Sequence, residues 1–228
     1  MKNALTKTIV GAAVLVGLGF ATSAMAHEKG DFVIRGGITN VAPNDDSSNI
    51  LAGGADLGLG ITVDSNAQLG LNFAYFLSDN VNVEVLAATP FTHDVNFGAS
   101  DPLGTGDALG EVTHLPPSVT ANYYFADASS AFQPYVGAGL NFTIFFDEEF
   151  TSANRAAGLS DLELDSSFGL TAQVGADYII DDQWHVNASL RWIDIDTEAS
   201  FKVGEADGAV NDIQIDPIVF TVSVGYTF

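Results

Sequence analysis

The chain ends Ile218-Val-Phe-Thr-Val-Ser-Val-Gly-Tyr-Thr-Phe228, and the reading of this stretch decides the fold. Ile218, Phe220, Val222, Val224, Tyr226 and Phe228 share one parity, while Val219, Thr221, Ser223, Gly225 and Thr227 share the other. Successive side chains of a strand point to opposite faces, so this is a strand with one uniformly apolar face, of the ~9 to 11 residues a tilted strand needs to cross a bilayer. A half-buried strand of a soluble sandwich alternates in the same way, so the rest of the chain must decide between the two.

Working outward, seven more segments alternate as cleanly. They run from about Asp31 to Val41, Ala67 to Leu77, Val81 to Ala88, Leu115 to Phe125, Phe132 to Ile144, Phe168 to Tyr178 and Trp184 to Ile193. Ser78-Asp79-Asn80, Ala126 to Ala131 and Asp181-Asp182-Gln183 are short turns, and the other connections are long. Long and short therefore alternate strictly along the chain. A sandwich has no reason to sort its loops so, whereas an up-and-down transmembrane barrel does, with short turns on the periplasmic side and long loops outside. The expected fold is all-β: an eight-stranded antiparallel up-and-down transmembrane β-barrel over residues 27–228, apolar outside, with Gly, Ser, Thr, Asn and Gln facing the lumen.

The rest of the composition fits export to a membrane. Lys2 and Lys7, the apolar run Ile9 to Phe20 and the small-x-small site Ala24-Met25-Ala26 mark residues 1–26 as a cleaved signal peptide. No segment has the ~18 consecutive apolar residues of a membrane helix. With no cysteine, the chain has neither disulfides nor thiolate metal sites, and no cofactor is expected. A net charge of −22 repels nucleic acid. Twenty of the 29 acidic residues fall in the four long connections, opposed there by Arg155 and Lys202 alone, so the acidity forms an extracellular crown.

Outward aromatics form two girdles, one at each membrane interface. Trp184, Tyr178, Phe125, Phe132, Tyr226 and Phe228 lie beside the short turns or the C-terminus, and Phe142, Phe168 and Trp192 at the opposite strand ends. A strand rising ~3.3 Å per residue and tilted by ~40° separates Trp184 from Trp192 by roughly 20 Å along the membrane normal. The terminal Phe228, with Tyr226 and Val224 before it, looks like the signal by which Gram-negative outer-membrane barrels are recognised by their assembly machinery.

Several segments resemble the OmpW family of small outer-membrane proteins: Glu84-Val-Leu-Ala-Ala-Thr-Pro-Phe91, His114-Leu-Pro-Pro117 with Asn122-Tyr-Tyr-Phe125, Pro134-Tyr-Val-Gly-Ala-Gly139 with Phe145-Phe-Asp147, Ala156-Ala-Gly-Leu-Ser-Asp161 and Ile193-Asp-Ile-Asp-Thr197. The likeness spans essentially the whole mature chain. It implies a narrow, largely apolar channel that passes small hydrophobic molecules through the outer membrane. Arg191 departs from the family pattern, in which many relatives carry an aromatic.

The inward parity then names the lumen. Leu86 and Arg191 fall at similar heights and are expected to line a constriction, with Phe76 and Tyr124 beneath. Arg35, Glu84, Asp177 and Arg191 also point inward and are expected to form one or two ion pairs in a polar plug, because charges away from water pair. Pro90, Pro116, Pro117 and Pro217 interrupt pairing and mark candidate sites for a lateral gap, the Pro116-Pro117 pair being expected at a rim.

Two other chemistries are weaker. His93, Asp94, Ser100 and His114 near the outer rim suggest acyl transfer, but adjacent His and Asp on a strand point apart, so the chain is read as no enzyme. Asp194, Asp196 and Glu198 share the outward parity above Trp192 and are weak metal candidates, as is Asp147-Glu148-Glu149; neither has a calcium-binding loop. Expected partners are outer-membrane lipids, lipopolysaccharide, small hydrophobic solutes and the assembly machinery. The competing function is a structural or receptor barrel whose acidic loops bind cations or lipopolysaccharide.

Overall fold

A computed structural model describes residues 26–98, 101–106, 108–127 and 129–228. The expected signal peptide thus lies outside the described residues but for Ala26, and Ser100 lies outside them too.

Eight antiparallel strands form the barrel: β1 (Phe32–Ala42), β2 (Asn66–Ser78), β3 (Val81–Ala88), β4 (Ser118–Tyr124), β5 (Phe132–Phe150), β6 (Ser167–Ile179), β7 (Trp184–Ile193) and β8 (Ile218–Thr227). Each pairs with its neighbours in sequence, and β1 pairs with both β2 and β8, from Val33 opposite Thr227 to Ala42 opposite Ile218, so the sheet closes. Closure matters because every backbone donor in hydrocarbon must find a partner within the protein. No helix among the described residues is long and apolar enough to cross a membrane, a fact that does not bear on crossing by strands.

The apolar parity faces outward as expected. Ile38, Leu69, Leu170 and Val174 are exposed on the barrel wall, part of an apolar surface far more extensive than the patches soluble monomers carry. The girdle residues are outward too: Phe142 pairs with Phe168 and Phe132 with Tyr178 across β5 and β6, and Trp184 meets Tyr226 edge-on with ring centres 4.9 Å apart. The turn before β7 is fixed by Asp181, whose Oδ1 accepts from the amides of Gln183 and Trp184.

The structure corrects the sequence reading at the outer end. The strand expected from Leu115 to Phe125 is broken at Pro116-Pro117 into Ala108–Leu115 and β4, because two successive residues lack the N–H that a ladder requires. Pro90 breaks the facing strand likewise, and beyond it Phe91–Phe97 pairs with Ala108–Leu115. The proline pair therefore sits within the wall and not at a rim.

The long connections also fold. β5 continues to Phe150, past the expected end at Ile144, and a short helix, Ser152–Ala156, follows with Thr151 capping it by accepting from the amide of Asn154. Leu159–Leu164, Asp196–Val203 and Ala206–Gln214 form a second sheet above the barrel. Its inner face joins the outer continuation of the barrel in one apolar core that includes Phe91, Phe97, Phe145, Phe150, Ile195 and Ile213.

Candidate functional site

The barrel interior has two storeys of opposite character. In the periplasmic half, the inward parity brings Arg35, Glu84, Asp177 and Arg191 into one hydrogen-bonded network. Arg35 Nη1 donates to Glu84 Oε2 (2.9 Å), and its Nη2 donates to Asp177 Oδ2 (2.8 Å) and to the Tyr124 hydroxyl (3.0 Å). Arg35 Nε donates to His185 Nε2 (3.1 Å). Arg191 Nη2 donates to Glu84 Oε1 (2.6 Å) and to Gln173 Oε1 (2.7 Å). Two guanidinium groups thus meet two carboxylates, all nearly inaccessible to solvent, so the cluster is formally neutral. Planar guanidinium groups suit this role because their donors fork toward two acceptors at once.

The four charged residues were legible in the sequence, but not their surroundings. His27, the first residue after the expected cleavage point, places Nε2 3.0 Å from Asp177 Oδ2 and stacks on Phe76 with ring centres 4.3 Å apart. Asn187 donates to Asp177 Oδ1, and Gln173 reaches Asn122 Oδ1. Room for these side chains comes from glycine: a Cβ at Gly225 would collide with the His185 ring, and one at Gly175 with Tyr135. Phe76 and Tyr124, expected beneath the Leu86–Arg191 constriction, are buried together with Val33, Ala74 and Tyr135 at the periplasmic end, and the Tyr124 hydroxyl is itself part of the plug.

Leu86 and Arg191 fall into adjoining layers. Arg191 reaches down to Glu84, whereas Leu86, one inward position above Glu84, lines a cavity of about 200 Å³. That cavity is bounded by inward residues such as Thr39, Val41, Phe91 and Val219, and also by Leu115, Pro117 and Ile144 of the outward parity. It reaches the wall where the ladder between the third and fourth strands lapses, from Leu86 opposite Ser118 to Phe91 opposite His114. Pro90, Pro116 and Pro117 flank this lapse. Pro217 does not: it precedes β8, where its carbonyl accepts from Ile193 N and pairing continues unbroken.

Above lies a smaller cavity of about 40 Å³, which shares Val41 with the one below and Ile61, Val95, Val112, Leu164 and Ile213 with the one above. The topmost cavity holds about 250 Å³ and is walled by apolar side chains of both the barrel extension and the second sheet. Three cavities with shared walls therefore run from the outer loops down to the polar plug. Sequence reasoning missed this upper storey: Phe97, Leu109, Val112, Phe150, Val210 and Ile213 lie in stretches read as long connections, although Ile193, Ile195 and Thr197 alternate much as a strand would.

The rim residues separate. His93 and His114 line the small cavity with Nε2 atoms 3.0 Å apart, while Asp94 is exposed on the other face of its strand, so no His–Asp dyad forms. Both rings lie above the membrane-spanning strands. Burial, against the pull of Asp64 and Asp94, lowers the pKa of His93; burial, helped by His93, lowers that of His114 to about 3. At the outer rim, Asp194 and Asp196 gather with Asp216, and Glu198 is not in the group. Burial, with Asp194, Asp216 and Asp212 adding to it, holds the Asp196 carboxyl above the ordinary range.

With this geometry in place, likenesses to known proteins can be set beside it. Residues 28–228 match the model of the OmpW family. The chain is 47% identical to "Outer membrane protein W" of Vibrio cholerae, over 98% of this chain and all of the relative. It superposes on the crystal structure of the outer membrane protein OprG from Pseudomonas aeruginosa with a TM-score of 0.83 at 41% identity, covering 89% of this chain and 98% of that one. A more distant P. aeruginosa relative, 28% identical over 88% of this chain and 90% of its own length, is named "Dibenzothiophene metabolism operon protein PahQ".

Proposed function

The chain belongs to the OmpW family and is an outer-membrane β-barrel, and from this premise we propose that it takes up small hydrophobic molecules passively from outside and releases them sideways into the membrane. The observation that carries the reading is the stacking of three apolar cavities above a neutral, hydrogen-bonded plug. A hydrophobic solute gains from each apolar cavity and gains nothing from the plug or from the aqueous periplasm beyond it. The lapse in the ladder beside the lowest cavity gives it a shorter way out into hydrocarbon. The name of the PahQ relative points to an operon for an apolar aromatic compound, in keeping with such a cargo.

Lipids meet the outward parity, and the acidic crown faces the lipopolysaccharide side. The Asp194, Asp196 and Asp216 group favours a second reading, a structural or receptor barrel whose outer carboxylates engage cations bridging lipopolysaccharide phosphates. Uptake of a radiolabelled polycyclic hydrocarbon by cells with and without the protein separates the two. Channel function requires faster uptake with the protein and a return to background in Ile213→Trp, which fills the shared wall of the upper cavities. Equal uptake in all three strains leaves the structural reading.

A further inference from the structure

The narrowest part of the apolar conduit is walled by rings. The middle cavity holds about 40 Å³, against about 200 Å³ below it and about 250 Å³ above, so a solute on its way down is most confined there. His93, His114 and Phe145 line it, and Phe91 continues the series into the lower cavity. The His114 ring centre lies 4.9 Å from that of His93, 5.6 Å from that of Phe91 and 5.9 Å from that of Phe145, whose plane is within 20° of its own. These rings belong to the outer continuations of the third, fourth and fifth strands. Val41 and Ile215, which border the same space, come from β1 and the approach to β8, on the other side of an eight-membered ring of strands. A run of rings on one side is thus met by aliphatic side chains on the other.

The histidines serve this wall as rings and not as polar groups. His93 Nδ1 donates to the backbone carbonyl of Asp64 at 2.5 Å, the two Nε2 atoms meet at 3.0 Å, and His114 Nδ1 is buried. The surface presented to the cavity is accordingly apolar throughout. The same bonds hold the ring planes, so the wall is set before a solute arrives. Burial keeps His114 uncharged at ordinary pH, so the collar carries no charge to repel an apolar body. We propose that this collar selects flat aromatic solutes over saturated ones of similar size. A fused aromatic is one carbon layer thick and gains from offset and edge-on contacts with rings beyond what its buried area supplies. A saturated ring system is puckered and gains from area alone. Contacts made where the conduit is narrowest lower the barrier to passage. The inference rests on the uptake function proposed above and adds the chemical class of the solute.

The test measures uptake of radiolabelled naphthalene and of its saturated counterpart decalin by cells with and without the protein, each protein-dependent rate being taken relative to that probe's background. Wild type is expected to favour naphthalene about fivefold, the size of one or two aromatic pairs. His114→Leu combined with Phe145→Leu keeps apolar bulk and removes two rings, and is expected to bring naphthalene down to the level of decalin. His114→Phe, which keeps a ring, is expected to retain the preference. Circular dichroism confirms that each variant forms its barrel; should the double variant not fold, Phe145→Leu alone is expected to lower the preference about twofold. With wild type in lipid nanodiscs, naphthalene and not decalin is expected to move the ring-proton resonances of His114 and Phe145 through its ring current. Equal relative rates in wild type, a preference that survives removal of the rings, or unmoved resonances overturns the inference and leaves the uptake function standing. No protein-dependent uptake of either probe refutes the uptake function itself.

Discussion

The periplasmic and extracellular halves of the lumen fill the same narrow cylinder by opposite means. Below, bulky polar side chains are packed to neutrality and most of their polar atoms find partners on other strands, Arg191 Nη1 and Asn187 Oδ1 being exceptions; above, apolar side chains stand apart and leave space. A polar interior in a low-dielectric surround must be satisfied almost completely, so it admits nothing further. An apolar interior tolerates vacancy, because an empty apolar cavity sacrifices dispersion and leaves no charge unpaired. The two halves should therefore answer substitution differently.

The largest effect is expected at Glu84, the carboxylate shared by both arginines. Glu84→Leu leaves two buried cations short of a partner and is expected to cost about 3–5 kcal/mol in reversible urea unfolding of the refolded barrel. A loss below 1 kcal/mol would mean that water reaches the plug, and the contrast between the halves would fail. Ile213→Ala, in the upper core, is expected to cost about 2 kcal/mol, at the low end for buried isoleucine because the site already borders open space. It should leave solute uptake intact or faster, whereas filling the same position blocks it.

Acid should act on the upper half. The folded pKa of His114 lies at about 3, below the ordinary value near 6.5, so the opened state binds the extra proton first. The contribution of the neutral ring is fully present above ~6.5 and is lost as pH falls toward the folded value, with opening favoured about tenfold by pH 5.5. Hydrogen exchange at Val112 and His114 read against pH checks this, and pH-independent protection would contradict it. The smallest effect belongs to the exposed Lys202–Asp207 pair of the second sheet: Lys202→Ala is expected to leave the unfolding midpoint unchanged.

What could be read from the residues follows the same division. The barrel strands declare themselves because lipid imposes one apolar parity on every one of them, and the plug because four charges on the other parity have few ways to be stabilised. His27 and His185 escaped notice because a single ring on an inward position carries no signal until its neighbours across the lumen are known. The upper core was hidden for a different reason. Its ladders carry register shifts, between Thr197 and Ala199 and between Ser160 and Glu163, and each shift resets the parity that a periodic reading depends on. Its walls also come from connections far apart in sequence, such as Ile50, Val112 and Val210, which no local pattern joins. The proline pair was recognised as a breaker, but whether a break falls at an edge or in mid-wall depends on the partner strand.

The lapse in the ladder near Pro116 has a mechanical consequence. Ordinarily a barrel that loses hydrogen bonds on one seam is free to unzip along it. Here the arginine forks tie β1 to β3 and β6, and β7 to β3, straight across the bore. Such cross-bracing keeps the base of the cylinder round, so the notch above it can widen and shut again without the tear running downward.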